Sequence, residues 1–420
     1  MRNLVRASDL GFRKAWLWRN RFGFGKAATA RRPRLLVDVS AIILHDAQTG
    51  IQRVVRAVWS ELNARVDDVF EAVPVYATNK RGYCYAPPDF LDRRHRAGWH
   101  ADPVSVHPGD KFIGLDLAAQ LLPKYRRQLK AWRAHGASTH IVVYDLLPLM
   151  RPEWFSRATA SHFKRWFDVL ANDVDQAICI SDQVAKDLRT HLRDAGMSSK
   201  LTIGRLRMGG DISASIPSTG LCEEAKSLLE HLRSKPAVLM VGTIEPRKGY
   251  DAALTAFEHL WRTRPNDAPD LVIVGKPGWK TDALQARLRS HPELLRRLHW
   301  FDRMSDEGLC MLYDACRGVL MASRGEGFGL PLIEAAMHRR PVLARDIPVF
   351  REQRLPNVQF FNDEEPAALG EQLMQLLTVG VTMETPQLPE WRECVEDFLV
   401  ELGVKTISRR ARKAPMLKAS

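Results

Sequence analysis

Glu326 and Glu334 stand with seven residues between them in Ser323-Arg-Gly-Glu-Gly-Phe-Gly-Leu-Pro-Leu-Ile-Glu334, a stretch holding Gly325, Gly327 and Gly329. Upstream, Gly318-Val-Leu-Met-Ala322 is an apolar run of strand length, and downstream Pro331 to Met337 is helix-forming, with Pro331 suited to a first turn. A strand, a tight glycine loop and a helix start present backbone N–H groups and the positive end of a helix dipole, which suits a phosphate. Glu326 falls in the loop and Glu334 about one turn into the helix, so both carboxylates can serve one crevice as hydrogen-bond acceptors for hydroxyls. A second candidate set is Glu245-Pro-Arg-Lys-Gly249, where Arg247 and Lys248 follow an apolar run, as a fork and a point charge for a diphosphate. Taken singly, each set reads as a solvated turn; what changes the reading is their shared position at strand ends.

The elements that must position these residues repeat along the chain. Apolar runs at 34–40, 69–76, 111–116, 140–145 and 176–181 read as strands of a first series. Those at 237–242, 271–275, 298–301, 319–322, 341–344 and 358–361 form a second, with helical patterns at 251–263, 282–296, 306–316, 330–338 and 366–378. Residues 80–108 read as a long irregular insertion, and the two series join near 205–235. Alternation of this kind predicts an α/β chain of two doubly wound, Rossmann-like domains, with ligands at the carboxyl ends of the strands. Thr49-Gly50-Ile51-Gln52-Arg53 is another glycine at a helix start, in the first domain. The dinucleotide fingerprint, the Walker A loop and the kinase set are absent.

The chain has 420 residues, 45% hydrophobic and 26% charged, enough for two or three domains with their own cores. No apolar run is long enough for a transmembrane helix, and the basic N-terminus lacks the apolar core of a secretory signal. Six scattered cysteines without a Cys-x-x-Cys pair suggest a reduced, cytoplasmic setting. The net charge of +13 is concentrated at the ends: +9 over 1–34 and +6 over 405–420, which leaves the body at −2. That distribution argues against nucleic acid as a partner. Residues 1–33 interleave Trp16, Trp18, Phe22 and Phe24 with arginines, a pattern open both to an anionic membrane surface and to a plain basic extension.

The second domain resembles the nucleotide-sugar domain of glycosyltransferase family 4, retaining enzymes of the GT-B fold. The resemblance rests on Val241-Gly-Thr-Ile-Glu-Pro-Arg-Lys-Gly249, Leu271-Val-Ile-Val-Gly-Lys276, the Ser323–Glu334 stretch and Pro341-Val-Leu-Ala-Arg-Asp346. More loosely, Thr49–Arg53, Val143-Tyr-Asp-Leu-Leu-Pro-Leu149, Pro152-Glu-Trp-Phe155 and Ile178-Cys-Ile-Ser181 resemble the family's acceptor domain. The organisation expected is a basic extension over 1–33, an acceptor-side domain over 34–205 and a donor domain over 206–380. A helix over 381–404, opened by Trp391, would cross back, and 405–420 would be a basic tail.

The resemblance implies that Lys248 and Arg247 hold the donor diphosphate. It implies that Gly327, Phe328 and Gly329 help hold the sugar and its phosphates, that Glu326 bonds sugar hydroxyls, and that Glu334 binds the ribose. Gly50 and Ile51 would approach the diphosphate from the opposite domain. The chain departs from the family at Thr243, where many members have arginine, and at Tyr144-Asp145, where many have a histidine and an acid; Asp145 is the substitute candidate near the reacting carbon. Lysine, arginine and helix dipole offset the diphosphate charge, so no metal cofactor is expected. The first-domain motifs look like those of bacterial surface-polysaccharide transferases. They suggest mannose from GDP-mannose and a lipid-linked or polysaccharide acceptor in lipopolysaccharide, O-antigen or exopolysaccharide synthesis, at the inner face of the cytoplasmic membrane. A different sugar donor with a soluble acceptor and a non-catalytic nucleotide-binding protein are the other readings.

Overall fold

In the computed structural model, residues 32–65, 69–92, 102–197, 200–211, 216–378 and 387–404 are described. The basic segments over 1–31 and 405–420 lie outside the described residues, and with them the membrane-docking reading. Strands β1 (Arg34–Asp38), β2 (Glu71–Tyr76), β3 (Cys84–Tyr85), β4 (Lys111–Gly114), β5 (Ser138–Val143), β6 (Gln176–Cys179) and β7 (Thr202–Arg205) form one sheet. Its order is β3-β2-β1-β4-β5-β6-β7. Strands β8 (Ala237–Val241), β9 (Asp270–Val274), β10 (Leu298–Phe301), β11 (Gly318–Met321), β12 (Val342–Arg345) and β13 (Val358–Phe361) form the other, in the order β10-β9-β8-β11-β12-β13. The pairings are parallel, except for the antiparallel β2–β3 edge.

The continuous apolar runs follow from this topology. Helices cover both faces of each sheet, so β1 and β9 are buried at every position. A Val or Leu so enclosed contributes roughly 2 kcal/mol relative to exposure. Each sheet reverses its strand order once, between β1 and β4 and between β8 and β11, and a crevice opens at the carboxyl ends there.

Three features differ from the sequence expectation. The insertion over 80–108 contributes core: Tyr83, Phe90, Val104 and Val106 are fully buried, and Cys84 pairs with Pro103 beside β3. The helix expected over 282–296 stops at Arg289. Arg34, counted among the basic end, is a buried β1 residue whose guanidinium meets Asp110 at 2.6 Å.

The Trp391–Glu401 helix packs on the first domain, where Trp391, Cys394, Val395, Phe398 and Leu399 join its core. Phe328 and Ile333, from the second domain, are in that same cluster. Glu352 of the second domain accepts from the backbone N–H groups of Asp182 (2.8 Å) and Gln183 (2.9 Å), at the start of the Asp182–Asp194 helix of the first. The two sheets therefore hold a fixed relation, carboxyl ends facing.

Candidate active site

β8 and β11 flank the switch point of the second sheet, and the loops that leave them carry the chemistry. After β8, a short 3-10 turn at Pro246–Lys248 presents Arg247 and Lys248, and Gly249 closes it at φ +71°. A side chain at Gly249 would run into the Ala322 carbonyl, so glycine lets the two loops touch. After β11, the chain runs through Ser323–Phe328 to Gly329, which at φ +93° is the N-cap of the Leu330–Met337 helix.

Glu326 sits where these loops meet. Its Oε1 accepts from Lys248 Nζ at 2.5 Å and Ser323 Oγ at 2.7 Å, and its Oε2 from Arg247 Nη1 at 2.6 Å. Arg247 also donates to the Gly325 carbonyl at 2.8 Å and pairs with buried Glu245 at 2.8 Å. Burial alone would push the Glu326 carboxyl up, but Arg247 and Lys248 outweigh it and hold the group at about 2. Glu326 is thus a fixed acceptor across the ordinary pH range, and the cations are gathered on it in the free protein. Glu245 and Ser323 open the two quoted stretches without an expected role, and the structure adds both to this network.

The first domain closes on this loop from the end of β5. A Cβ at Gly327 would lie 1.9 Å from the Tyr144 carbonyl oxygen and 3.2 Å from Asp145 Cβ, so the contact is one only glycine permits. Tyr144 and Asp145 divide their roles. The Tyr144 hydroxyl is buried and donates to the Leu115 carbonyl at 2.7 Å, a structural role inside the first domain. Asp145 stays in the crevice: burial raises its carboxyl, and Arg247 across the cleft partly offsets that. Its Oδ1 accepts from the Leu147 N–H at 3.0 Å.

Glu334 lies deeper, buried on its helix. Its Oε2 accepts from the Tyr313 hydroxyl at 2.8 Å, and its Oε1 is paired with Arg53 of the first domain. Arg53 Nη2 also reaches Asp306 Oδ1 at 2.9 Å, while Asp306 Oδ2 accepts from the Ser218 backbone N–H and hydroxyl, each at 2.8 Å. A pocket lined by Gly210, Asp211, Ser218, Asp306, Cys310 and Glu334 opens beside this bridge. Arg53 is aimed there by its helix, Gly50–Asn63. The Thr49 side chain caps the Gln52 N–H at 3.3 Å, and the Gln52 side chain accepts from the Thr49 N–H at 3.4 Å. Gly50 opens that helix facing Leu330, whose side chain a Cβ at this position would meet at 3.4 Å, and Ile51 packs at the edge of the first core.

The predicted residues therefore fall into two neighbouring groups. Arg247, Lys248, Glu326, Gly327 and Asp145 meet at the switch point; Glu334 lies one helical turn beyond Gly329 and Leu330, with Gly50 alongside. Arg53, Tyr313 and Asp306 complete the second group. Arg53 stood inside a quoted motif, but its partners are 253 and 281 residues away, a separation without any local signature.

A metal-type constellation lies elsewhere. The ligand atoms of His231, Asp270 and His299 fall within 4.8 Å of one another at the amino-terminal ends of β9 and β10, opposite the crevice. Both imidazoles hydrogen-bond Asp270 Oδ2, at 2.7 and 3.2 Å.

Residues 223–386 match the family described as Glycosyl transferases group 1. The serotype-specific mannosyltransferase WbdA of Escherichia coli is 41% identical over 381 residues, 88% of this chain and 46% of the relative. The chain thus spans about half the length of the curated relatives it matches over most of its own length. The O-antigen chain mannosyltransferase B of E. coli is 32% identical over 115 residues, 26% of this chain and 28% of the relative. Among solved structures, Anabaena HepE in complex with UDP and glucose has a TM-score of 0.60 at 15% identity, over 89% of this chain and 100% of that one. The N-terminal domain of Candida albicans trehalose-6-phosphate phosphatase has a TM-score of 0.53 at 12% identity, over 90% and 95%. At such identities the solved structures speak for the fold, two Rossmann-like domains of the GT-B type.

Proposed function

We propose, from the premise that this chain carries a group 1 glycosyl transferase domain in a GT-B frame, that it transfers a hexosyl group from a nucleoside diphosphate sugar to a glycan acceptor. The observation that carries this reading is the meeting of Arg247, Lys248 and Glu326 at the β8–β11 switch point, with Gly327 pressed on the Tyr144 carbonyl of the facing domain.

The chemistry follows from the charges. A departing diphosphate develops negative charge where Lys248 and Arg247 already converge, in a site fixed before reaction. Glu326, ionised throughout, turns its oxygens to the sugar hydroxyls while the phosphate takes a share of the cations. Glu334 accepts from the ribose hydroxyls, which take the place of Arg53. Gly50 and Ile51 bring backbone up to the diphosphate from the first domain. Asp145 is the carboxylate nearest the reacting carbon from the acceptor side, and the acceptor hydroxyl attacks from the leaving-group face with retention. No metal is required by this charge balance.

For the donor we take GDP-mannose, and for the acceptor a lipid-linked mannan-type glycan of surface-polysaccharide synthesis; similarity to the E. coli mannosyltransferases supports mannose as the sugar and an O-antigen-type chain as the acceptor class, while GDP and the lipid link are read from the first-domain motifs. Among the described residues no helix is long and apolar enough to cross a membrane. Contact with an anionic membrane, carried by the basic ends, rests on composition. The test is mannose transfer from GDP-mannose to a synthetic α-mannoside by the purified chain in EDTA. Product with retained anomeric configuration is expected; abolition by EDTA, with rescue by a divalent metal, overturns the metal-independent chemistry.

A further inference from the structure

The segment Arg151–Phe155 and the loop after β9 form a patch that the donor chemistry leaves unused. The Trp279 indole N–H donates to the Trp154 carbonyl at 2.8 Å, and Lys280 Nζ donates to the carbonyls of Glu153 (2.5 Å) and Phe155 (3.2 Å). The Trp279 ring stacks on Phe155, with centroids 5.9 Å apart and planes at 30°. Its polar edge is satisfied and one face is backed, yet the side chain remains 40% exposed. Among the large apolar side chains that the described residues expose, it is the aromatic one. The segment whose carbonyls hold the Trp279–Lys280 loop also carries two charged groups of high exposure, Arg151 and Glu153, 3.6 Å apart, with the Arg151 guanidinium over the Trp154 ring at 5.2 Å. Trp154 in turn lies against the catalytic loop: a Cβ at Gly325 would meet its ring at 2.8 Å. The patch is therefore continuous with the Glu326 site and lies at the rim between the two domains.

We propose that Trp279, with Arg151 and Glu153 of the adjoining segment, is the subsite for a pyranose ring of the acceptor glycan. The proposal rests on the transferase reading given above. A pyranose has one face of C–H groups and a rim of hydroxyls. A backed indole matches the first, and the guanidinium and carboxylate of the adjoining segment match the second. The ring holds its orientation through the Phe155 stack and the N–H bond, so little freedom is lost when a sugar lands. The platform draws on both domains: the ring belongs to the second, and the carbonyl and the phenyl ring that hold it belong to the first.

The experiment uses the full chain, with α-linked mannotriose as the probe and GDP as the donor-side control. Titration of mannotriose is read on tryptophan fluorescence, and initial rates are measured against acceptor and against GDP-mannose separately. Trp279→Ala is expected to raise the acceptor KM about tenfold or more, while donor KM and GDP affinity stay within about twofold. Trp279→Phe should fall between. Arg151→Ala and Glu153→Ala, both surface changes that leave the fold intact, should each raise the acceptor KM severalfold. An unchanged acceptor KM in Trp279→Ala, or a loss of GDP affinity as large as the loss of acceptor affinity, overturns the assignment; the second outcome makes the ring part of the donor site. If the wild-type chain binds no mannotriose, the assignment is also overturned. If it transfers no sugar but mannotriose still produces a signal that Trp279→Ala removes, the subsite stands and the transferase reading falls.

Discussion

Replacing Arg53 by methionine removes a charge that two carboxylates of the other domain share. Methionine keeps most of the stem volume, so the change isolates the guanidinium. Glu334 is 2% exposed at its side chain, and Arg53 and Asp306 are each 22% exposed. Breaking one side of a buried pair costs about 3–5 kcal/mol, because the remaining charge is left without its counterion. Here Asp306 keeps its two Ser218 bonds and Glu334 keeps the Tyr313 hydroxyl, so the lower end, about 3 kcal/mol, is the expected loss. Chemical denaturation of wild type, Arg53→Met, Glu334→Gln and the double variant gives the coupling, expected at about 2 kcal/mol. The same variants separate stability from binding. The ribose must displace Arg53 from Glu334, so Arg53→Met is expected to bind GDP at least as tightly as wild type, whereas Glu334→Gln binds it more weakly. A stability loss below about 1 kcal/mol with additive single effects would refute the bridge. A GDP affinity that falls equally in both single variants would refute the displacement.

Gly327→Ala places a methyl group 1.9 Å from the Tyr144 oxygen, so the loop or the facing domain must retreat. Transfer should fall by about 100-fold or more, with a smaller change in thermal midpoint; near-normal transfer would mean that the domains do not meet there during reaction. Burial pushes Asp38 up to about 6 and Asp116 up to about 7, the latter also through its neighbour Asp38. The folded chain thus keeps protons that the unfolded chain releases near 3.8, so stability falls as pH rises from about 4 to about 7. Asp116→Asn should flatten that slope in urea midpoints measured across the range. Glu326, held at about 2, works in the opposite sense and loses its contribution as pH falls from 4.5 toward 2, at the acid edge of that window and below it.

The parts of the fold that were legible in the sequence are those with unbroken apolar runs. β1, β8 and β9 carry such runs because a parallel sheet covered on both faces asks for them. β7, Thr-Ile-Gly-Arg, is an edge strand with no buried position, and it escapes an apolar-run reading for that reason. Tyr83, Phe90, Val104 and Val106 are buried singly between polar residues, so an insertion that completes the first core reads as irregular. At the site, Arg247, Lys248 and Glu326 could be placed because each follows a readable strand, and topology brings neighbouring strand ends together. The Arg53–Glu334–Asp306 bridge could not, since it joins helices of two domains. The division between Tyr144 and Asp145 depends on which side chain β5 turns inward at its end, and that is fixed by packing against Leu115 rather than by the dipeptide.

On the proposed function, the crevice at the β8–β11 switch point binds a nucleoside diphosphate sugar and breaks its sugar–phosphate bond. The most direct measurement is release of nucleoside diphosphate from a panel of nucleotide sugars, GDP-mannose first, by the wild-type chain, Lys248→Ala and Glu326→Gln, each with a mannoside acceptor. Acceptor-dependent release by wild type from one donor is expected, with a drop of about 100-fold or more in each variant. Release from no donor, or release that both variants sustain at the wild-type rate, would contradict it.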